Sequence, residues 1–411
     1  MERAELAQLL QATAERHLLD EIPAGAPVVV CERDPVRFMS AFAAAVAGTG
    51  PVFLADPNWG AAERAVLDEL VRSALRPPSS ALRQAWLAVP TGGSSGRIRF
   101  ARHDQDTIAA AVGGFTGHFG VGRVHAVGLL PLHHVSGLMA WMRCAVTGGE
   151  YRPWSWDDLV SGQRPALEPG DWFLSLVPTQ LQRLLGSPSA VDWLRRFRVI
   201  SVGGGPVWPE LAAAAAQARL PVSLGYGLTE TMAMVAAQLP EEFAGGDRSA
   251  GRAMPHARLV INAEGAVTIT GDSVFRGYWP EETQNRVLVT SDAGSIDSSG
   301  RVELLGRRDA VIITGGKKVQ PEEVETALRA TGLFTDVVVI GVPDPEWGEA
   351  VVACYPAGAA PLDPAKISGL LSTLAPFKRP KRYVVLPDWP RNAQGKVNRA
   401  ALRVAVLSRW T

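Results

Sequence analysis

The stretch RVISVGGGPVWPELAAAAAQARLPVSLGYGLTE (198–230) holds two short apolar runs separated by a helical pattern. RVISVGG (198–204) and LPVSLGYG (220–227) predict strands, and the alanine-rich segment WPELAAAAAQAR (208–219) predicts a helix between them. A strand, a helix and a second strand in this order are typical of a parallel βαβ unit. The stretch therefore predicts an α/β fold.

The same alternation extends toward the N-terminus, where apolar runs again alternate with helical patterns. Strands are predicted at PVVVCE (27–32), GPVFLAD (50–56), HAVGLLPL (125–132) and DWFLSLV (171–177), with a helix at ERAVLDELVRSAL (63–75). Because helices separate these strands, we expect mostly parallel pairing.

The pattern changes toward the C-terminus. Residues 256–304, which include His256 in a weak strand, read as short alternating strands broken by Gly and Asp. The elements predicted after residue 305 are a helix from Pro321, strands at VVVIGV (337–342) and AVVACY (350–355), a helix from Asp363 and a last helix from about Val397. We therefore predict a large N-terminal domain over residues 1–305, with mixed and parallel sheets and a small β-rich region. A smaller α+β domain is predicted over residues 306–411, with the boundary near GRRD (306–309).

Composition excludes several classes of protein. The 411 residues include 41 Lys+Arg and 41 Asp+Glu, so we expect no polyanionic partner such as nucleic acid. The three cysteines are isolated, which is typical of a reducing cytoplasm and not of a disulfide framework. The longest apolar segment (126–142) is interrupted by Pro131, His133 and His134, so no membrane span is predicted. All six lysines follow residue 316, and any role that needs a compact ammonium must be filled from there.

The segment PTGGSSGRIRF (90–100) contains three glycines and several hydroxyl residues within a few positions. Backbone N–H and side-chain O–H groups in such a loop can turn toward one point, as a phosphate-binding loop requires. The segment is not a Walker loop, because no Lys-Ser or Lys-Thr follows its last glycine. A plain Gly/Ser hairpin turn remains the alternative.

The same residues also match G-x-S-x-G, the nucleophile elbow of serine hydrolases. An elbow runs from a strand directly into a helix, whereas RIRF (97–100) alternates as a strand does. A hydrolase would also need an acid and then a histidine downstream, and His256 is the only histidine after His134. A serine esterase is therefore the less favoured reading.

Five segments occur together in the order typical of one enzyme superfamily. They are TGGSSGRIR (91–99), PLHHVSG (131–137), GYGLTE (225–230), SDAGSIDSSGRVELLGRRDAVIITGGKKVQPEEVE (291–325) and RNAQGKVNR (391–399). The chain thereby resembles the adenylate-forming superfamily, which includes acyl- and aryl-CoA synthetases, luciferase-type enzymes and peptide-synthetase adenylation domains. The first 90 residues are shorter than is usual in that family. The resemblance implies ATP-dependent activation of a small-molecule carboxylic acid to an acyl-adenylate, followed by transfer to coenzyme A.

The resemblance also implies where ATP and Mg²⁺ bind. The loop that would hold the β- and γ-phosphates is Thr91, Gly92, Gly93, Ser94, Ser95 and Gly96. The family usually continues this loop with Pro-Lys, where this chain has Ile98-Arg99. Thr229 would donate to the α-phosphate, and Glu230 would hold Mg²⁺, a hard cation that suits a carboxylate and phosphate oxygens.

The nucleoside has its own set of implied ligands. Tyr226 would lie against adenine, and Gly227 beside it would also bind the cofactor. Gly204 and Gly205 of SVGGGP (201–206) would let the backbone approach the purine closely. Asp292 is similar to the family's ribose ligand, and Arg307 is similar to the partner of that ligand.

The C-terminal motifs imply a hinge and two half-reactions. Asp309 is similar to the hinge residue about which the C-terminal domain rotates, and Gly315-Gly316 would line the tunnel for coenzyme A. Lys396 corresponds to the catalytic lysine, whose charge would lie between the carboxylate and the triphosphate during adenylation.

The segment 131–154 resembles the branch of the family that activates 2-succinylbenzoate for menaquinone and phylloquinone synthesis. His134 corresponds to a histidine that borders the acyl pocket. The sequence near His133 and His134 offers no third ligand that would indicate a zinc site. A second substrate carboxylate needs donors, and His134, Ser136 and Thr229 are the candidates in an otherwise apolar pocket. The alternatives are another aryl- or medium-chain acyl-CoA ligase, an enzyme that loads a carrier protein, and an inactive nucleotide-binding module.

Overall fold

A computed structural model describes residues 1–14, 25–75, 85–92, 98–281, 283, 285–334, 336–357, 367, 369–391 and 397–409. The predicted helix start at Asp363 lies outside these residues, as do Lys396 and the loop residues Gly93, Ser94, Ser95 and Gly96. No helix of the described residues has the length and apolar character needed to cross a membrane.

The described residues form α-helices and strands that we number in chain order. The helices are α1 (Arg3–Gln11), α2 (Pro35–Ala47), α3 (Ala61–Ala74), α4 (Gln105–Phe119), α5 (Val135–Thr147), α6 (Trp156–Val160), α7 (Pro178–Leu185), α8 (Pro188–Leu194), α9 (Pro209–Gln217), α10 (Pro240–Ala244), α11 (Pro321–Ala330) and α12 (Arg399–Leu407).

The strands of the N-terminal two thirds are β1 (Val28–Val30), β2 (Val52–Leu54), β3 (Leu87–Gly92), β4 (Ile98–His103), β5 (His125–Gly128), β6 (Tyr151–Pro153), β7 (Trp172–Leu176), β8 (Val199–Val202), β9 (Val222–Leu228), β10 (Ala233–Ala237) and β11 (Arg252–Ala253). Those that follow are β12 (Ala257–Ile261), β13 (Ala266–Gly271), β14 (Val287–Ile296), β15 (Val302–Arg307), β16 (Ile312–Thr314), β17 (Lys317–Val319), β18 (Val338–Asp344), β19 (Gly348–Pro356) and β20 (Arg382–Leu386).

The largest sheet has the strand order β11-β10-β9-β8-β7-β5-β6. Its strands from β6 to β9 are parallel, and β10 and β11 add antiparallel edges. The stretch 198–230 forms β8, α9 and β9, and β8 pairs in parallel with β9 through Ile200 and Val222. The predicted βαβ unit is confirmed. The strand predicted over 125–132 is shorter than expected, because β5 ends at Gly128.

A buried apolar cluster holds this sheet to its helices. It includes Trp172 on β7, Ile200 on β8, Val222 on β9 and Leu211 on α9, all of which are buried. Burying one such side chain contributes about 1.5–3 kcal/mol. The cluster therefore stabilises the strand ends from which the site residues project.

The first sheet contains the strands on either side of the predicted phosphate loop. Its order is β1-β2-β3-β4, with β1, β2 and β3 parallel and β4 antiparallel to β3. Gly92 pairs with Ile98 and Thr91 with Arg99, so a strand and not a helix follows the loop. The strands on either side of the glycine-rich segment contradict the nucleophile elbow, which requires a helix directly after it.

Two smaller sheets complete the fold. The strands β12 to β15 form an antiparallel sheet. The strands β16 to β20 form a mixed sheet, in which β20 pairs in parallel with β19, and this sheet packs with α11 and α12. His256 lies in the turn before β12, so its predicted place in a strand is wrong. The fold is α/β, with a large N-terminal part and a small α+β C-terminal part. The exact domain boundary remains a prediction, although a short 3₁₀ helix (Arg308–Ala310) lies where it is expected.

Candidate active site

The motifs SVGGGP and GYGLTE lie at one edge of the largest sheet, because they end the parallel neighbours β8 and β9. Ligands of open α/β sheets bind at the carboxyl ends of such strands. Gly204 has a φ of +79°, and a Cβ on Gly205 would meet open space. A Cβ on Gly227 would lie 1.9 Å from the carbonyl oxygen of Ala233, so only glycine fits there.

Tyr226 and Asp292 contact each other at this edge. The Tyr226 hydroxyl donates a hydrogen bond of 2.6 Å to Oδ2 of Asp292. Burial, together with the charge of Asp292, raises the pKa of the Tyr226 hydroxyl, which therefore stays protonated and remains a donor. The fold brings together the residues to which the resemblance assigns adenine and ribose.

Arg307 links Asp292 to the predicted hinge residue. It lies opposite Asp292 on the β14–β15 pair, with Nη1 3.6 Å from Oδ1 of Asp292. Its Nε and Nη2 donate to Asp309 at 2.8 and 2.6 Å. The pKa of Arg307 is raised, first by the hydrogen bond to Asp309. One guanidinium thus contacts both the ribose candidate and the hinge candidate.

Glu230 is held at two points by the segment 275–278. Its carbonyl oxygen accepts from the Phe275 amide at 2.8 Å, and its Oε1 accepts from the Tyr278 hydroxyl at 2.6 Å. The Arg99 guanidinium stacks 3.9 Å above the Tyr278 ring. The arginine that replaces the family's lysine therefore supports the residue that orients Glu230.

Thr229 is held from the opposite side by His103, which is fully buried at the end of β4. His103 Nε2 donates to the Thr229 carbonyl oxygen at 2.9 Å, because a carbonyl can only accept. Burial lowers the pKa of His103 to about 4, so the ring is neutral at physiological pH. Sequence reasoning missed both His103 and Tyr278, since no local pattern connects them to the GYGLTE turn.

We expect Tyr278→Phe to raise the Mg²⁺ concentration that gives half-maximal activity by about tenfold or more. Partners that orient a metal-ligating group typically contribute 10- to 100-fold to metal affinity. The measurement is a Mg²⁺ titration of pyrophosphate release at saturating ATP. Tyr383→Phe, in the C-terminal sheet, is the matched control and should leave the titration unchanged. An unaltered or lowered Mg²⁺ requirement in Tyr278→Phe would contradict this role.

The acyl-pocket candidates lie at the start of α5. His134 is the N-cap residue of this helix, and Ser136 lies in its first turn. Ser136, Ala140 and Arg143 have the spacing i, i+4 and i+7, which places them on one helix face. The expectation of an otherwise apolar pocket around His134, Ser136 and Thr229 remains a prediction, and Arg143 is a further buried polar residue on α5.

Arg143 is 5% exposed and lines a small cavity of about 10 Å³ with Phe115, Phe173 and Ser201. Its guanidinium stacks 3.9 Å from the Phe115 ring centre, and it has no salt bridge within the described part of the chain. Burial lowers its pKa to about 10, so it stays charged at neutral pH. A buried charge without a counter-charge is costly, so Arg143 is a candidate partner for an anionic group.

The C-terminal motifs are placed in part. Gly315 and Gly316 form the two-residue turn between β16 and β17, with φ of +54° and +72°. The Gly315 amide donates to the Trp347 carbonyl oxygen at 2.8 Å, and a Cβ on Gly315 would lie 3.0 Å from the Trp347 ring. Asp309 lies on the short 3₁₀ helix that joins the β14–β15 pair to this region.

Comparison with protein families shows the class. The AMP-binding enzyme family matches residues 16–279, and the AMP-binding enzyme C-terminal domain matches residues 323–396. The chain therefore belongs to the AMP-binding enzyme family. The predicted adenylate-forming superfamily is thereby confirmed by two separate stretches of the chain.

Individual relatives narrow the comparison. The chain is 31% identical over 291 residues to a 2-succinylbenzoate–CoA ligase of Geobacillus kaustophilus, in a match covering 67% of this chain and 59% of that protein. It is 29% identical to an indoleacetate–CoA ligase of Aromatoleum aromaticum, in a match covering 97% of this chain and 82% of the relative. The chain thus spans only about three fifths of the former.

Solved structures show the same fold. The o-succinylbenzoate CoA synthetase of Bacillus subtilis in complex with its acyl-adenylate intermediate matches with a TM-score of 0.77 at 21% identity, covering 98% of this chain and 91% of that one. MatB of Rhodopseudomonas palustris with bound ATP matches with a TM-score of 0.75 at 23% identity, covering 100% and 93%. The predicted two-part α/β architecture is confirmed.

Proposed function

We propose that this protein couples ATP cleavage to the activation of a carboxylic acid and then transfers the acyl group to coenzyme A. The observation that carries the proposal is the arrangement around GYGLTE. Tyr226 contacts Asp292, while the Thr229–Glu230 turn is held by His103 and Tyr278. A nucleoside site and a phosphate–metal site therefore adjoin at the edge where α/β proteins bind ligands.

The chemistry of the site fits ATP with Mg²⁺. The Tyr278 hydroxyl donates to Oε1 of Glu230, and the second carboxylate oxygen, Oε2, can bind another partner. One carboxylate with phosphate oxygens and water is the usual environment of Mg²⁺. When bound, Mg²⁺ would neutralise part of the triphosphate charge. Thr229 would then orient the α-phosphate, and the loop from Thr91 to Gly96 would hold the β- and γ-phosphates.

Two half-reactions follow from this arrangement. In the first, a carboxylate oxygen attacks the α-phosphorus, the acyl-adenylate forms and pyrophosphate leaves, with Lys396 beside the developing charge. In the second, the sulfur of coenzyme A attacks the acyl carbon, AMP leaves and the thiol proton is released. We propose that the domains divide at 305/306 and that rotation at Asp309 brings Gly315-Gly316 to the site between the two steps.

For the acid we propose 2-succinylbenzoate, which carries a second carboxylate besides the one that is activated. Arg143 supplies a buried positive charge on the α5 face that also carries Ser136. The cavity beside it is small, so Phe115 or Phe173 must move to admit the carboxylate. The likeness to 2-succinylbenzoate–CoA ligases supports this choice. We further propose that the enzyme acts in the cytoplasm, where ATP and coenzyme A are available and its free thiols stay reduced.

Pyrophosphate release should require ATP, Mg²⁺ and a carboxylic acid together, while AMP and a thioester should appear only after coenzyme A is added. A panel of acids, assayed with and without coenzyme A, measures both steps. We expect kcat/KM for 2-succinylbenzoate to exceed that for benzoate and octanoate by well over tenfold, because a monoacid leaves buried donors unpaired. Equal activity on octanoate would contradict the substrate but not the enzyme class.

Two other outcomes of this assay would contradict the proposed enzyme class or the proposed acyl acceptor. Hydrolysis of simple esters without ATP, abolished by Ser94→Ala, would identify a serine esterase. Adenylation without thioester formation would indicate that a carrier protein replaces coenzyme A. An aryl-acetic acid is the second candidate substrate, because the indoleacetate–CoA ligase match covers nearly the whole chain.

A further inference from the structure

We propose that Asp56, His133 and His134 form a three-ligand site for Zn²⁺ that is separate from the Mg²⁺–ATP site. The ligand atoms of these three residues lie within 4.8 Å of one another. The adjacent histidines gave no indication of a third ligand in the sequence, and the fold supplies it from a different sheet. We call these three residues the Asp-His-His cluster.

Backbone contacts fix two members of the cluster, Asp56 and His134. Asp56 follows β2, where its carboxylate accepts from the Asn58 amide at 2.8 Å and its carbonyl from the Trp59 amide at 3.0 Å. His134 caps α5, and its amide donates to the Pro131 carbonyl at 3.1 Å. The first and largest sheets therefore present the ligands on rigid backbone, as a metal site requires.

The separation between His133 and Asp56 suits a shared metal better than a direct contact. Nε2 of His133 lies 3.6 Å from Oδ2 of Asp56, and this buried nitrogen makes no hydrogen bond within the described residues. Hydrogen bonds of this kind are about 2.7–3.2 Å long. Two ligands of a tetrahedral zinc, each about 2.0 Å from the metal, lie about 3.3 Å apart.

The donor set favours zinc over magnesium. Imidazole nitrogens suit Zn²⁺ and related transition metals, whereas Mg²⁺ prefers oxygen ligands in octahedral geometry. Asp56 adds a carboxylate oxygen, and two imidazoles with one carboxylate are a known ligand set of catalytic zinc. Three protein ligands with one open position are typical of reactive or exchangeable zinc sites.

The position of the Asp-His-His cluster means that a bound metal would affect the activity of the enzyme. His134 borders the proposed acyl pocket, so a bound zinc would hold its ring and place a positive charge there. Zn²⁺ should therefore inhibit the enzyme at concentrations that leave the Mg²⁺ requirement unchanged. The binding site itself does not depend on the proposed reaction, and it can be tested without ATP or an acid.

The test is direct metal binding to the whole chain after treatment with a chelator. We expect one Zn²⁺ or Co²⁺ per chain, a tetrahedral Co²⁺ spectrum without thiolate charge transfer, and a higher Tm with metal. Asp56→Asn and His133→Gln should each weaken binding by more than the roughly 10- to 100-fold that loss of an outer-shell partner costs. Their circular dichroism and their Tm without metal show whether they fold.

Two matched variants decide where the metal binds. His125→Gln alters a histidine that lies elsewhere on β5 and should keep full binding. Cys31 is exposed and lies close to Asp56. Cys31→Ser therefore tests whether a thiolate is a ligand, and this variant should also keep full binding. The proposal would be overturned if the wild type bound no metal, or if Asp56→Asn and His133→Gln bound it as tightly as the wild type. Loss of binding in Cys31→Ser would also overturn it.

Discussion

Lys396→Ala is expected to slow acyl-adenylate formation by about 10²–10³, the usual effect of removing one preorganised electrostatic partner. The lysine charge is needed only where the carboxylate approaches the α-phosphate, so the second half-reaction should be spared. Given pre-made acyl-adenylate and coenzyme A, the variant should form thioester at close to the normal rate. Single-turnover measurements of the two halves separate these effects.

Asp309→Pro provides the opposite result. Proline fixes φ at the proposed hinge and restricts the rotation that presents Gly315-Gly316. We expect adenylate to accumulate while thioester formation stalls. Substitution also removes the two bonds from Arg307, so Asp309→Ala, which loses those bonds but keeps backbone freedom, is the matched control.

Equal slowing of both halves in Lys396→Ala, or unchanged adenylation, would contradict the proposed role. Lys378 and Lys381, the lysines of the other basic cluster near the C-terminus, already have contacts. Lys378 Nζ lies 2.6 Å from Glu323, and Lys381 Nζ lies 4.7 Å from the Trp347 ring centre. Either would need to leave these contacts to serve as the catalytic cation.

Arg143→Met is expected to remove most of the preference for 2-succinylbenzoate over monoacids. A site built to pair a polar group typically rejects analogues that lack it by 10⁴–10⁵. We expect kcat/KM for 2-succinylbenzoate to fall on the order of a thousandfold in this variant. Methionine keeps much of the side-chain volume without the charge. The measurement is kcat/KM for 2-succinylbenzoate and benzoate, and the benzoate value should be unchanged or raised.

Stability provides an independent readout for the same variant. Replacing a buried charge with an apolar side chain is often neutral or stabilising, so the Tm of Arg143→Met should not fall. Arg248→Met is the matched control, because Arg248 also stacks on a phenylalanine, Phe243, at 4.3 Å but lies beside α10. Unaltered discrimination in Arg143→Met would show that another group binds the second carboxylate.

Much of the architecture could be predicted because its signals are local. The βαβ unit over 198–230 was readable since the spacing of apolar residues follows the period of the strand or helix that they form. The strand after the glycine-rich loop was readable for the same reason, and it was enough to disfavour the nucleophile elbow. His256 was predicted in a strand but lies in the turn before β12. The ends of short strands depend on hydrogen bonds to neighbours that the sequence does not reveal.

The motifs identified the residues of the site but not their partners. Glu230 and Tyr278 are 48 positions apart, and His103 and Thr229 are 126 positions apart. Such contacts depend on the order of strands in a sheet and on the packing of one sheet against another. The roles of Lys396 and of Gly93, Ser94, Ser95 and Gly96 remain predictions from the sequence.

The sequence by itself determined the fold class, the family and the turn that carries Thr229 and Glu230, because these are written in short contiguous patterns. Only the tertiary structure decided that Arg143 is buried with no carboxylate partner among the described residues and that Asp56 lies beside His133. The physical reason is that burial and charge pairing are properties of the space around a side chain. Residues far apart in the chain create that space when the sheets and helices pack together.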